Sequence, residues 1–176
     1  GFSVLRELLE NSSPQDIASS IVLRMIECIV HMKAGRINAA QDLFESLARE
    51  VGPGHPLTKD LEIVRVTLLV YGCSLERTGD LELIRNLITE QADDPAMRTF
   101  LATLSAILNC QRARFDAAVA NLIDARALAK RVSSQYNLMF LLMHEASINL
   151  AQGKLKHART CLSEARTRWQ RDFPSD

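Results

Sequence analysis

Apolar residues recur along most of this chain with the three- and four-residue spacing of an amphipathic helix. The clearest case follows Gly35, where Ile37, Ala40 and Phe44 fall on one helical face and polar residues fall on the other. The same offsets of +2, +5 and +9 return after three further turn residues: Gly79, Ala113 and Gly153. Four such matches indicate a repeating helix-turn-helix unit.

Capping residues and prolines set the predicted helix boundaries. Ser13 before Pro14 and Asp94 before Pro95 are typical helix starts, because Ser and Asp cap free amides and Pro suits the first helical position. Helices are predicted over about 2–10, 14–34, 37–51, 57–77, 80–91, 95–112, 115–131, 135–152 and 155–171. The segment 1–11 is too short to be stable alone, so we interpret it as the tail of a preceding helix.

The eight longer helices pair into four units, and the whole chain 1–176 is expected to be one all-α domain. The units cover about 14–52, 57–92, 95–132 and 134–172. The β-branched run Ile63–Thr67 could form a strand, but the uninterrupted apolar pattern around it is too long for one. Because the sequence begins with Gly1 rather than Met, we expect it to be a piece cut from a longer protein.

The spacing resembles that of tetratricopeptide repeats. That family places a small residue seven positions before the turn, and this chain has Cys28, Gly72, Ala106 and Ala146 there. It also wants a small residue at +5, which Ile84 does not supply, and an early tryptophan, which all four units lack. The resemblance implies a right-handed superhelix of about four antiparallel helix pairs, in which small residues let the helices approach closely.

The variable repeat length also resembles the helical region of bacterial LuxR-type regulators of the MalT-like kind. In that family an ATPase module precedes the repeats and a DNA-binding helix-turn-helix module follows them. The resemblance implies a non-catalytic sensor for transcription regulation, with a protein or an apolar small molecule and other domains of the same chain as partners. DNA would then be bound only through a domain outside this sequence. A free-standing adaptor that binds a peptide or an amphipathic helix stays open as an alternative.

Composition excludes a membrane protein and favours a folded cytoplasmic one. The chain is 47% hydrophobic and 24% charged, as in ordinary globular domains. Its most apolar run, Leu61–Leu75, is interrupted by Glu62 and Arg65 and falls short of the ~20 residues that span a bilayer. The four cysteines form no CxxC pair, which favours reduced thiols and hence a cytoplasmic location.

Motifs for catalysis or metal binding are absent from the sequence. His144 and Glu145 match the start of the metalloprotease motif His-Glu-x-x-His, but the second histidine is missing. Cys28 with His31, and His157 with Cys161, offer two ligands each, which is too few for a metal site. We therefore expect no enzymatic activity, no cofactor and no metal.

Charge is unevenly distributed although the formal net charge is zero. Residues 1–100 carry 10 Lys and Arg against 15 Asp and Glu, whereas residues 101–176 carry 11 against 6. The basic third allows a nucleic-acid interpretation, but it lacks interleaved stacking aromatics, so a solvated face is favoured. The opposite charges and the apolar residues at both ends predict self-association through the ends: Val4, Leu5, Leu8, Leu9, Trp169 and Phe173.

The tetratricopeptide pattern places the first helix of each unit on a concave surface. The residues predicted to line this groove are Val22, Met25, Ile29, Met32, Val66, Leu69, Cys73, Phe100, Thr103, Ile107, Cys110, Phe140, Met143 and Ser147. They are mostly apolar, so the groove is expected to bind an amphipathic helix, a neighbouring domain or an apolar small molecule. Alternatively, these side chains pack against one another and leave no open groove.

Overall fold

The computed structural model describes residues 2–72, 80–91, 93–132 and 134–172, and within these ranges the chain is all-α, as predicted. The described residues form ten helices: α1 Phe2–Glu10, α2 Pro14–Ser19, α3 Ile21–Lys33, α4 Ile37–Glu50, α5 Thr58–Tyr71, α6 Asp80–Glu90, α7 Pro95–Gln111, α8 Phe115–Ala129, α9 Gln135–Ala151 and α10 Leu155–Asp172. No strand occurs in these ranges. None of the described helices is both long and apolar enough to cross a bilayer.

The single helix predicted over 14–34 is wrong, because Ser20 divides it into α2 and α3. Ser20 has an extended backbone, with φ −106° and ψ 116°, and its hydroxyl accepts a hydrogen bond from the Leu23 amide at 3.3 Å. Serine stabilises such a break because its side chain caps the next helix. The apolar spacing continues from Ile17 to Ile21, so periodicity alone does not reveal the interruption.

The helices form two compact units, residues 1–74 and 75–176. In the first unit, α1 and α2 pack on α3, and α4 and α5 pack on α3 and on each other. Cys28 and Ala40 are fully buried where α3 crosses α4, and the Cys28 thiol donates to the Ala40 carbonyl at 3.2 Å. The core around them contains Met25, Met32, Leu47, Val51, Leu61, Val64 and Leu68. The boundary between the units falls inside the second predicted repeat, 57–92.

The second unit is arranged around α7, which packs against α6, α8 and α9, while α10 packs on α9. Nearly every residue of α7 from Thr99 to Asn109 is buried. Thr99 and Thr103 are tolerated in this interior because each hydroxyl donates to the carbonyl four residues earlier, at 2.7 and 2.8 Å. The core between α7, α8 and α9 contains Ala102, Ala106, Ala118, Leu122, Ala125, Ala129, Leu141 and Ile148.

Three interhelical turns share one backbone geometry. Gly35, Ala113 and Gly153 have φ values of +74°, +56° and +70°. In each turn this residue's amide bonds the carbonyl three residues back, and the next amide bonds the carbonyl five back, at 2.8–3.1 Å. These are the two bonds of the Schellman motif, which ends one helix and reverses the chain. The fourth predicted turn residue, Gly79, lies outside the described residues.

Candidate binding sites

The predicted groove residues of the first unit are mostly part of its interior. Met25, Met32, Val66 and Leu69 are buried, Ile29 is half-buried and Val22 is exposed. Cys73 lies outside the described residues. Lys33, at the edge of the predicted groove, donates a hydrogen bond to the Tyr71 hydroxyl and lies 4.5 Å from the centre of its ring. Burial lowers the pKa of Lys33.

The predicted groove residues of the second unit divide between interior and surface. Thr103 and Phe140 are buried, while Phe100, Ile107 and Cys110 are half-buried and Met143 and Ser147 are exposed. The structure brings two of these residues together, because the rings of Phe100 and Phe140 lie 5.2 Å apart. The Phe140 ring also contacts His144 edge-on at 4.4 Å. An open apolar groove along these positions stays a prediction.

Helix α10 carries an exposed apolar stripe of Leu155, Leu162 and Trp169. These side chains are 64%, 53% and 40% exposed. They lie seven residues apart, which places them one above another on nearly the same side of the helix. They stand at offsets of +2, +9 and +16 from Gly153. We call them the α10 stripe.

The same offsets are covered by a following helix in two earlier helix pairs. In the first unit, Ile37 and Phe44 pack against the core that includes Leu61 and Leu68 of α5. In the second unit, Leu122 and Ala129 of α8 belong to the core that includes Leu141 and Ile148 of α9. The α10 stripe therefore occupies positions that a further helix covers elsewhere in the chain.

Basic residues border the α10 stripe. Arg159 and Arg166 each lie four residues after a leucine of the stripe, so they project from the same side of the helix. Both are exposed, and neither has an acidic partner among the described residues. Three other arginines of the C-terminal third form ion pairs: Arg126 with Glu145, Arg168 with Glu164 and Arg171 with Asp172.

The described thiols are reduced and poorly ionisable. Cys28 and Cys161 are buried and Cys110 is half-buried. Burial, with a smaller contribution from Glu27, raises the pKa of Cys28 to about 11, and burial also raises the pKa of Cys110 and Cys161. No group of three or more potential metal ligands occurs within the described part of the chain. A protonated, enclosed thiol is a poor nucleophile and metal ligand, so these cysteines act as small core residues.

A cavity of about 350 Å³ opens between α6, α7 and α8 in the second unit. Its polar floor consists of Ser105 and Asn109 of α7 and Asn121 of α8, and two arginines, Arg85 and Arg114, stand at its sides. Leu81, Ile88, Ala117 and Ala120 supply apolar walls. This cavity was not predicted from the sequence, because its residues are spread over three helices and follow no motif.

Two side-chain hydrogen bonds hold the cavity floor in place. The side-chain amide of Asn121 donates to the Ser105 hydroxyl at 2.8 Å. Ser105 lies eight residues before Ala113 and Asn121 lies eight residues after it, as expected for facing positions on two antiparallel helices. The side-chain amide of Asn109 donates to the backbone carbonyl of Ser105 at 3.0 Å. Each carboxamide therefore uses one of its N–H groups within the protein, and further donors and acceptors remain for a ligand.

The described part of the chain thus has an exposed apolar stripe on α10 and a separate polar cavity. No protein family, curated protein or solved structure gives a significant match to it.

Proposed function

We propose that this chain is a non-catalytic interaction scaffold of the tetratricopeptide kind, and that its α10 stripe binds an amphipathic helix of a partner protein. One observation carries the proposal. Leu155 and Leu162 are exposed, whereas residues at corresponding offsets from the turns at Gly35 and Ala113 pack in cores to which α5 and α9 contribute. The three Schellman turns support the repeat character, because each joins two helices with the same pair of hydrogen bonds.

The charges beside the stripe select the partner's chemistry. Arg159 and Arg166 would lie at the edge of the contact, so the partner helix needs Glu or Asp flanking its apolar face. Burying one leucine of the stripe contributes about 1.5–3 kcal/mol, whereas an exposed ion pair contributes roughly 0.2–1 kcal/mol. The apolar contact therefore supplies most of the affinity, and the arginines determine selectivity and salt dependence.

The biological setting that we propose is the sensor region of a bacterial transcription regulator. The support is the resemblance in repeat length and pattern to LuxR-type regulators of the MalT-like kind. In that setting the partner helix reports a signal, and DNA recognition belongs to another domain. A free-standing adaptor is the second candidate, and it is favoured by the same exposed stripe.

The sole tryptophan of the chain, Trp169, gives a direct binding signal. We expect a synthetic helix with a Leu/Ala face and flanking Glu residues to shift Trp169 emission to shorter wavelength in a saturable way. Leu162→Glu should weaken this binding at least tenfold, because it removes the central apolar contact and adds a like charge. The matched control is Ile123→Glu on α8, since Ile123 is 63% exposed and lies outside the stripe.

Several outcomes would contradict the proposal. Equal peptide binding by Leu162→Glu and Ile123→Glu would place the contact elsewhere. Concentration-dependent light scattering that Leu162→Glu abolishes, without peptide binding, would make a second copy of the chain the occupant. Salt-dependent DNA binding lost in Arg159→Ala/Arg166→Ala but kept in Leu162→Glu would instead favour the nucleic-acid interpretation. Circular dichroism checks that every variant keeps its helical content.

A further inference from the structure

We infer that the cavity between α6, α7 and α8 is a binding site for a small organic carboxylate. The site is separate from the α10 stripe and does not depend on the function proposed for it. Three properties carry the inference: the size of the cavity, its two guanidinium groups without an acidic partner in the described part of the chain, and its buried polar floor.

The size fits a small metabolite rather than a peptide or a nucleic acid. A volume of about 350 Å³ corresponds to roughly twelve water molecules at ~30 Å³ each. It lies at the lower end of the ~300–1,000 Å³ range of small-molecule pockets. A ligand on the order of ten heavy atoms is therefore expected.

The charge at the cavity favours an anion. Arg85 of α6 and Arg114 before α8 both line it, and neither has an acidic partner among the described residues. A guanidinium presents a planar pair of N–H donors that matches the two oxygens of a carboxylate. Arg114 is also the N-cap residue of α8 and makes no side-chain capping bond, so the start of that helix adds positive potential. Asp116 in the first turn of α8 offsets part of this potential, which leaves the guanidinium groups as the main attraction.

The floor supplies hydrogen bonds for a second polar group of the ligand. Asn109 and Ser105 are only 5% and 9% exposed, yet both line the cavity. Interior helix positions normally carry apolar residues, because a buried polar side chain costs free energy unless it is fully bonded. The Ser105 hydroxyl accepts from Asn121 and keeps its own hydrogen for donation. A hydroxyl or keto oxygen elsewhere on the ligand would complete this network.

The walls explain why an organic carboxylate fits better than inorganic phosphate. Leu81 and Ile88 of α6 and Ala117 and Ala120 of α8 leave roughly half of the lining apolar in character. Phosphate would leave these walls in contact with water, whereas an aliphatic or aromatic group would cover them.

The test uses the complete 176-residue chain and two probes, 4-hydroxyphenylacetate and 4-methyl-2-oxopentanoate. Each joins a carboxylate to an apolar body and one more oxygen. We expect saturable binding in an NMR titration, with a Kd on the order of 1 mM for ligands of this size. The amide shifts should centre on Ser105, Asn109 and Arg114. The neutral analogue 4-hydroxyphenylacetamide should bind at least tenfold more weakly.

Variants at the two arginines separate specific recognition from general attraction. Arg85→Ala and Arg114→Ala should each weaken probe binding roughly tenfold, the loss expected for a charged hydrogen bond. Arg114→Lys keeps the charge but lacks the planar pair of donors, so binding should be only partly restored. Arg131→Ala is the matched control, because Arg131 is exposed and does not line the cavity. Leu162→Glu should leave probe binding unchanged.

The inference is overturned if neither carboxylate binds, or if the acid and its amide bind equally. It is also overturned if Arg85→Ala and Arg114→Ala bind as tightly as Arg131→Ala, or if the amide shifts map away from the cavity. Binding of inorganic phosphate in preference to both carboxylates would replace the carboxylate assignment with a phosphate site.

Discussion

Ala113 has a left-handed backbone conformation that alanine rarely adopts. Its φ of +56° corresponds to the +74° of Gly35 and the +70° of Gly153 at equivalent turns. The left-handed region costs a residue with a Cβ atom about 1–2 kcal/mol. Glycine avoids this cost but loses about 0.4–1 kcal/mol through its greater freedom in the unfolded chain. The first effect is larger, so Ala113 carries a small net strain.

Replacing Ala113 by Gly should therefore stabilise the chain by roughly 0.5–1 kcal/mol, measured as a higher urea midpoint. The reverse changes, Gly35→Ala and Gly153→Ala, should destabilise it by a similar amount. An added Cβ at either glycine meets nothing within 4 Å, so the effect isolates backbone conformation from packing.

Gly52→Ala is the control for this series, since its Cβ would also meet nothing within 4 Å but its φ is not in the left-handed region. We expect this substitution to change the free energy of unfolding by no more than about 0.5 kcal/mol. If Ala113→Gly lowered stability, the strain argument would be wrong.

The turn residues were predictable from sequence to different degrees. Gly35 and Gly153 are ordinary helix-ending signals. Ala113 was found only because its position repeats the same offsets to the apolar residues that follow it. The small residues seven positions earlier have a physical reason as well. A Cβ on Gly72 would lie 3.0 Å from the Leu68 carbonyl oxygen one turn earlier, which is tight, and 3.5 Å from Ile37 of α4, which is an ordinary van der Waals contact.

At the scale of single helices, caps decide where several of them begin. Asp94 starts α7, and its carboxylate accepts hydrogen bonds from the Ala96 and Met97 amides, both at 2.9 Å. Ser13 starts α2 with a reciprocal capping box to Asp16. Both starts were predicted, because a capping residue and the amides that it binds lie within four consecutive residues of the sequence.

Asp94→Ala should destabilise the chain by about 1 kcal/mol, because two first-turn amides lose their acceptor at the start of the central helix α7. Asp94→Asn should recover most of the loss, since asparagine caps nearly as well. Thermal unfolding followed by circular dichroism measures both. Equal stability of the Ala variant and the parent chain would show that the cap is dispensable.

Helix breaks were harder to predict than helix starts. The apolar pattern continues through Ser20, so a one-residue interruption leaves no trace in the periodicity. The cavity was also invisible from sequence. Ser105 and Asn109 look like isolated polar residues in an apolar helix, and only packing of α6 and α8 around them reveals a common site. The α10 stripe was partly predicted, because Leu155 and Leu162 belong to the repeat pattern and Trp169 was expected to be an exposed end residue.

At the scale of the whole molecule, the second compact unit has an interior of its own. The cluster of buried residues that α7, α8 and α9 share lies entirely within residues 75–176. We expect the excised segment 75–176 to remain helical and to unfold cooperatively on heating. Leu141→Ala, at a fully buried position, should destabilise it by about 2–5 kcal/mol. A segment with a random-coil spectrum, or one indifferent to Leu141→Ala, would contradict this expectation.

The shared turn geometry also constrains how the length of this chain can change. One residue inserted between a Schellman turn and the next buried alanine would rotate everything beyond it by about 100° and carry that alanine off the interface. An insertion in the loop 51–57 between α4 and α5 would rotate neither helix and would add only a small loop-closure cost. Length variation is therefore tolerated between helix pairs and excluded within them, so natural relatives of this chain should differ in length at loops such as 51–57 while keeping each pair intact.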